Sequence, residues 1–372
     1  MKDVNGHEII QLFESWSPKA YALEGDAVGL QIGRLNQPVS NVLVTLDVTE
    51  EVVREAMEKN CQLIIAHHPP IYFPLKHVRT DLPTGKVVEM CIKHDIAVYA
   101  AHTNLDVAPG GVNDLLAGAL ELTDVKILEE TYSEKLLKLA AYVPVTHANF
   151  LREGLAEAGA GQIGNYDSCS FSSKGLGRFK PLVNSNPTIG SLNCVEEVEE
   201  EKVEVVFSDS LRSKIIKVLH SIHPYEEPAY EIWKLEIDTE KQGIGRIGKI
   251  NEFLTLDAFA EKVKTQLGVP FVRVVGKSSS IIKKVAVLGG DGNKYIQIAK
   301  RAGADVLVTG DLYFHVAQDA QAIGLSVIDP GHHVESIMKK GVSDKMSELC
   351  MEKKFNCTFF PSAISTEPFR II

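Results

Sequence analysis

Two adjacent histidines, His67 and His68, close the apolar run Leu63-Ile64-Ile65-Ala66 and are followed at once by Pro69-Pro70. The prolines cannot donate ladder hydrogen bonds, so a strand must stop there. Neighbouring side chains on a regular strand point to opposite faces, so two histidines can share a site only where the chain leaves the sheet. Neutral imidazole is the commonest metal ligand in proteins, and open α/β sheets place their sites at the carboxyl ends of strands. Two more stretches carry the same chemistry: His102-Thr103-Asn104-Leu105-Asp106 and Gly331-His332-His333-Val334-Glu335.

Taken together, His67, His68, Asp106, His332 and Glu335 make three imidazoles and two carboxylates with no thiolate. That is more than one tetrahedral ion needs. It suits a pair of borderline divalent ions, zinc ahead of iron or manganese, bridged by a carboxylate and open to water. Asp106 or Glu335 is the natural bridge. His332 is preferred to His333 because residues three apart on a helix share a face, whereas His333 would have to meet Glu335 at i+2. His102 can be a ligand, an outer partner or a general acid/base; a pocket role without direct ligation is favoured, which makes it the candidate catalytic residue. The weaker signals are Asp311 with His315, the loop Gly289-Gly290-Asp291-Gly292, and Asn104. The first pair is spaced for one helical face, although Asp311 equally suits a helix start. The loop resembles a phosphate cradle but lacks the lysine of a P-loop. Asn104 can bind substrate or form an Asx turn.

The elements that must position these residues alternate. Strands are expected over 41–47, 63–66 and 96–101, with helices over 8–17, 50–59, 84–94 and 112–120; Thr49 is the cap of the second helix. A loop is expected around Gly25–Gly33. The pattern returns with strands at 284–288, 305–309 and 325–329 and helices at 257–266, 294–302 and 314–322. The order of elements matches between the two stretches, and polar residues recur at the strand ends, which points to an internal duplication with mainly parallel sheets. Between them lies β-α-β-β-α-β, a ferredoxin-like order. It has strands near 136–143, 202–207 and 230–237, a helix capped by Thr146, a second helix at 211–221 and an acidic turn at 196–202. The fold class is thus a duplicated three-layer α/β core interrupted by a ferredoxin-like α+β insert. The expected boundaries are 1–125 for the first half, 126–245 for the insert and 246–372 for the second half. The glycines of Gly243–Gly248 mark tight turns at the re-entry into the core. In the insert, His223-Pro224-Tyr225-Glu226-Glu227-Pro228 is either a ligand surface or a rigid connector.

At 372 residues and 45% hydrophobic, the chain can build two or three cores. A formal net charge of −10 disfavours a nucleic-acid footprint. The six cysteines form no C-x-x-C and read as reduced thiols. No signal-like segment and no membrane-length apolar run occurs, so a soluble, cytoplasmic protein is expected.

With Ala66-His67-His68-Pro69-Pro70, His102–Asp106, Gly245-Arg246-Ile247-Gly248, Thr309-Gly310-Asp311 and Gly331–Glu335 in order, the chain resembles the GTP cyclohydrolase I type 2 homologues, the Nif-three-like family. The insert, with its His-Pro-Tyr-Glu-Glu-Pro stretch, resembles the PII-like (CutA-like) domain of some bacterial members. The resemblance implies a dinuclear centre at His67, His68, Asp106, His332 and Glu335. It also implies a toroidal homohexamer with sites facing an internal cavity, and a metal-dependent hydrolase acting on a nucleotide or phosphoester. The alternative is a non-catalytic metal-binding, metal-delivery or regulatory protein whose PII-like domain senses a small ligand.

Overall fold

A computed structural model describes residues 2–372. The chain divides into two compact units, one of residues 1–132 with 242–372, the other Ser133–Lys241. The larger unit is built on two sheets. In the five-stranded sheet the order is Thr358–Pro361, Asn41–Thr45, Leu63–Ala66, Ala97–Ala100 and Gly29–Ile32, parallel except for the last strand. The six-stranded sheet runs Arg273–Val275, Ser326–Asp329, Val306–Gly310, Ile281–Asp291, Lys241–Thr255 and Thr123–Ser133. Its second, third and fourth strands in that order are parallel. Each sheet therefore carries a run of three parallel strands consecutive in the chain, joined in the first by Thr358–Pro361, which fits the duplication.

Side-chain alternation assigns the layers. Val42, Val44, Leu63, Ile65 and Tyr99 of the first sheet and Val285, Val287, Val306, Val308 and Ile328 of the second fill one shared core. The intervening residues Leu43, Ile64 and Val98 face a separate cluster under the helices Glu50–Glu58 and Pro83–Lys93. Ala286, Leu307 and Val327 do the same under Ile296–Arg301 and Phe314–Ala322. Strands buried on both faces must be apolar at every position, which is why these runs read as continuous rather than alternating. The shared core is filled by the helices Gly6–Trp16, Val112–Ala119, Leu256–Gln266 and Met338–Glu352. Asn5 and Glu8 form a reciprocal cap on the first of these, and Thr49 accepts from Val52 N at the start of Glu50–Glu58.

The smaller unit is a four-stranded antiparallel sheet. Tyr230–Lys234, Leu136–Pro144, Glu196–Ser208 and Ser170–Phe179 lie side by side in that order, with helices Ala148–Glu157 and Arg212–Ile222. In chain order this is 4-1-3-2, the ferredoxin-like topology. It is stabilised by its own cluster, including Leu139, Val203, Phe207, Ile215 and Leu219.

Several expected features are corrected. Residues 29–32 form an edge strand rather than a loop, and 243–248 lie within the strand Lys241–Thr255. The strands Thr123–Ser133 and Lys241–Thr255 belong to the core sheet, so the compact insert begins at Ser133 and ends at Lys241, inside the span 126–245. The acidic stretch 196–202 is a paired strand, because the exposed positions Glu197 and Glu199 alternate with Val198 and the buried Glu200. Thr146 does not cap a helix; its hydroxyl pairs with His147 Nδ1 beside a 3₁₀ turn.

Glu55 ties the C-terminal segment to the core. Its carboxylate accepts from Ala363 N, Ser362 Oγ and Lys59 Nζ. Burial raises its pKa, but these three donors outweigh that and hold it below 4.5. A depressed folded-state pKa stabilises at pH above the unfolded value and loses that stabilisation as pH falls through the folded one. Wild type should therefore exceed Glu55→Gln by about 1–2 kcal/mol at pH 7, the worth of hydrogen bonds to a charged group. The gap in melting temperature should close as the pH falls through the depressed folded-state value into the acid range; a gap that is constant from pH 3 to 7 contradicts this account.

Candidate metal centre

The site lies where the carboxyl ends of the parallel strands of both sheets meet. Leu63–Ala66 delivers His67 and His68, Ala97–Ala100 leads to His102, and Ser326–Asp329 leads to His332 and Glu335. Asp106 sits in a short helix, Thr103–Val107, that the sequence reading did not anticipate. His332 and Glu335 occupy a 3₁₀ turn, His332–Ile337, rather than the start of an α-helix. In a 3₁₀ turn residues i and i+3 eclipse, which aligns the two side chains more closely still.

His67 Nε2 stands 3.6 Å from Asp106 Oδ1 and 3.7 Å from Glu335 Oε1. On the other side of the same carboxylate, His68 Nε2 is 3.0 Å and His332 Nε2 3.1 Å from Glu335 Oε2. His67, Asp106 and Glu335 thus form one compact ligand group, and His68, His332 and Glu335 a second, with Glu335 common to both. The first is fully enclosed: His67 is 0%, Asp106 6% and Glu335 3% exposed. His102 joins His67 and His68 in a third group, its ring centroid 5.3 Å and 5.8 Å from theirs.

Every imidazole is oriented through its other nitrogen. His67 Nδ1 pairs with Ala101 O at 2.8 Å, His68 Nδ1 with Asp47 at 2.6 Å, His102 Nδ1 with Asp26 at 2.8 Å and His332 Nδ1 with Asp311 at 2.7 Å. These acceptors hold Nδ1 as the donor and turn Nε2 inward, the arrangement found around metal-ligating histidines. Asp47 and Asp26 were not singled out from sequence. The one signal available was position: Asp47 lies two residues beyond the end of Asn41–Thr45, the strand beside the one that leads to His68, and Asp26 lies ahead of the edge strand Gly29–Ile32.

Asn113 joins the two halves at the site. Its Nδ2 donates to Asp106 O and its Oδ1 accepts from Gly289 N. Gly290, at φ +60°, comes so close to Glu335 that a Cβ would lie 2.8 Å from Oε1 and 3.3 Å from His332 Nε2. Gly289 and Gly290, which lie within the end of the Ile281–Asp291 strand rather than in a loop, therefore form a cradle for the Glu335 carboxylate. A side chain there would be strained by backbone and contact alike.

The electrostatics favour positive charge. Burial pulls the His68 pKa down, but Asp47 and Glu335 outweigh it and hold it at about 10. Glu335 holds His332 at about 9. Burial and the Glu335 charge push Asp106 up to about 6. Against burial, the surrounding imidazoles keep Glu335 well below the usual carboxylate range. Two buried polar atoms, His67 Nε2 and Asp106 Oδ1, make no hydrogen bond. Unpaired buried donors and acceptors are costly and uncommon, so two facing each other beside a third carboxylate fit a cation ligand set.

The other candidates separate clearly. His333 does not approach Glu335 and senses Asp47, Glu367 and Lys339 instead. His315 pairs with Gln318 and stands outside the cluster, while Asp311 takes part through His332. Asn104 is buried and donates to Ser17 O and Oγ, a structural role.

Asp311 offers a clean test of the outer partners. It has φ +51°, which asparagine tolerates, so Asp311→Asn changes charge with little change in shape. Divalent-ion affinity should fall by about 10–100-fold, the usual cost of losing such a partner. Competitive chelator titration measures it, and unchanged affinity would argue against ligation by His332.

Comparison with known proteins gives one consistent result. The family model Duf34/NIF3 (NGG1p interacting factor 3) matches residues 4–368. A Bacillus subtilis protein called "GTP cyclohydrolase 1 type 2 homolog" is 56% identical over 371 residues, covering 100% of both chains. The crystal structure of a Bacillus cereus protein related to NIF3 superposes with a TM-score of 0.86 at 52% identity, covering 100% of both chains. A Staphylococcus aureus crystal structure gives 0.82 at 32% identity, again with full coverage of both.

Proposed function

We propose that this chain, which belongs to the Duf34/NIF3 family, is a dinuclear divalent-metal hydrolase. The observation that carries the reading is the placement of Glu335, with Oε1 turned to His67 and Oε2 turned to His68 and His332. A single carboxylate shared by two ligand groups is the geometry of a bridge. His67, Asp106 and Glu335 would hold one ion; His68, His332 and Glu335 would hold the other. When bound, such ions supply Lewis-acid polarisation and bring the pKa of water toward neutrality.

The residues of the chain do the rest. Asp47, Asp311 and Ala101 O fix the ligand imidazoles, and the enclosed side around His67 excludes bulk water. His102 is held by Asp26 at Nδ1, with Thr103 N and Oγ donating to the same carboxylate. That leaves His102 Nε2 to take or give a proton at the substrate. The names of the relatives direct the substrate reading toward GTP, where hydrolysis would attack C8 of the purine and release formate. The reading extends to a toroidal homohexamer, to zinc ahead of iron or manganese, and to a PII-like role for the insert, whose 4-1-3-2 sheet supports it.

The test is turnover with metal content known. Protein purified without added metal is quantified for metal, then screened against nucleotides and phosphoesters beside His68→Ala. Metal-dependent hydrolysis absent from the variant supports the proposal. Two exchangeable ions without turnover would instead assign metal holding or delivery, a reading favoured by the exposed edge of the second group, where the His332 side chain is 38% exposed.

A further inference from the structure

The insert contains a cavity whose lining differs in chemistry from the metal centre. A cavity of about 670 Å³ opens where the end of the Ser170–Phe179 strand and the following loop face the turn around Tyr225. Small-molecule sites run from roughly 300 to 1,000 Å³ and combine apolar walls with a few converging polar groups. Here the walls include the rings of Phe179 and Tyr225, 5.7 Å apart, with His223 packed 5.3 Å behind Tyr225. The loop is fastened over the turn by Thr188 Oγ1 donating to Pro224 O and by Asn186 N donating to Glu226.

Arg178, Lys180, Glu200, Glu226 and Glu227 all line this cavity, and of these Glu200 comes from the middle of the sheet. Glu200 is 8% exposed and lines the cavity. Its Oε1 accepts from Tyr225 Oη at 2.9 Å. Burial and the Glu200 charge push the Tyr225 phenol up, which keeps it a donor. The other oxygen, Oε2, lies over Gly177, where a Cβ would come within 2.2 Å, and no hydrogen bond to it is found among the described residues. Glu226 spends its carboxylate on the loop, and Arg178 leans 3.7 Å toward Glu197. A carboxylate that gives one oxygen to Tyr225 and keeps the other free of protein partners, beside two aromatic rings, favours a cation that can donate to the free oxygen and lie against the rings.

We infer that this cavity binds a small organic cation, an amine or amidinium carried on an apolar or aromatic body. Its nitrogen meets Glu200 Oε2 and its body lies against Phe179 and Tyr225. The inference shares no residue with the metal ligands and stands or falls separately from the proposed hydrolase.

The experiment uses the full chain with its metal content measured, and ligand-observed NMR with calorimetry. The probes are benzamidine and phenethylamine, against neutral benzamide and anionic benzoate. The cations should bind at least tenfold more tightly than either control. Glu200→Gln should lose that preference, and Phe179→Ala should weaken both cations about tenfold, with metal content unchanged in each. Phe179→Ala keeps the inference testable should Glu200→Gln fail to fold. Equal binding of benzamide, no binding of either cation, or cation affinity unaffected by Glu200→Gln overturns it. A preference for benzoate also overturns it and moves the recognition to Arg178 and Lys180. Sedimentation of the same samples shows whether a second copy covers the cavity, in which case the cations fail to bind and the inference is wrong.

Discussion

On the proposed two-ion reading, Glu335→Gln should abolish paired metal binding, leaving fewer than one divalent ion per chain under conditions where that reading has wild type hold two. Among the described residues Glu335 is the one common to both ligand groups, with Oε1 facing His67 while Oε2 lies 3.0 Å from His68 and 3.1 Å from His332. Loss of an outer partner costs about 10–100-fold in metal affinity. Loss of a shared charged ligand should exceed that at both positions at once. Elemental analysis after equilibrium dialysis gives the stoichiometry. Glu335→Asp is the informative companion: one methylene shorter, it can serve one group but not both, and should retain about one ion. A second readout does not depend on metal. His332 is held at about 9 chiefly by Glu335, so in the metal-free Gln variant its imidazole should titrate near the ordinary histidine range by NMR. Two ions at wild-type affinity in Glu335→Gln would sink the bridging role.

The second large effect is expected away from the ligands, at Arg246. This guanidinium is only 4% exposed. It makes a two-point contact with Asp114, at 2.5 Å and 2.9 Å, and donates to the carbonyl oxygens of Gly243, Gly245 and Val107. Val107 follows Asp106 directly, so Arg246 clamps the end of the helix that carries a candidate ligand. Removing one partner of a buried ion pair costs roughly 3–5 kcal/mol, because the other charge is left uncompensated in a poor solvent. The Asp114 side chain is itself 29% exposed, which places Asp114→Ala at the lower end, about 3 kcal/mol. For a unit of this size that corresponds to a fall of about 6–12 °C in melting temperature. Arg246→Lys should not rescue, since an ammonium cannot reproduce the planar fork that serves a carboxylate and three carbonyls together. Metal affinity should fall alongside stability in both variants. A change under 1 kcal/mol in Asp114→Ala would show that the clamp contributes little.

Much of the molecule could be read from residue order alone. Continuous apolar runs such as Leu63–Ala66 and Val306–Val308 identify strands buried on both faces, and Thr49 marks a helix start by hydrogen-bonding chemistry that is local. The β-α-β-β-α-β succession of the insert and the repeated α/β pattern around it are likewise written in periodicity. So are the five residues with ligand chemistry, since each stands where an apolar strand runs out or just beyond it.

Other features depend on partners distant in sequence and had no local signal. The strand Lys241–Thr255 looks like a glycine-rich turn, because what makes it a strand is pairing with Ile281–Asp291. Asp47 and Asp26 become orienting partners only when folding sets them beside His68 and His102. The preference for His332 over His333 already followed from its three-residue spacing to Glu335, which a 3₁₀ turn realises, but the two-sided use of Glu335 is decided by the convergence of residues 267 and 268 positions apart. Short-range chemistry is set by neighbours along the chain; a shared carboxylate, its glycine cradle and its outer partners exist only once the two halves close on a common core.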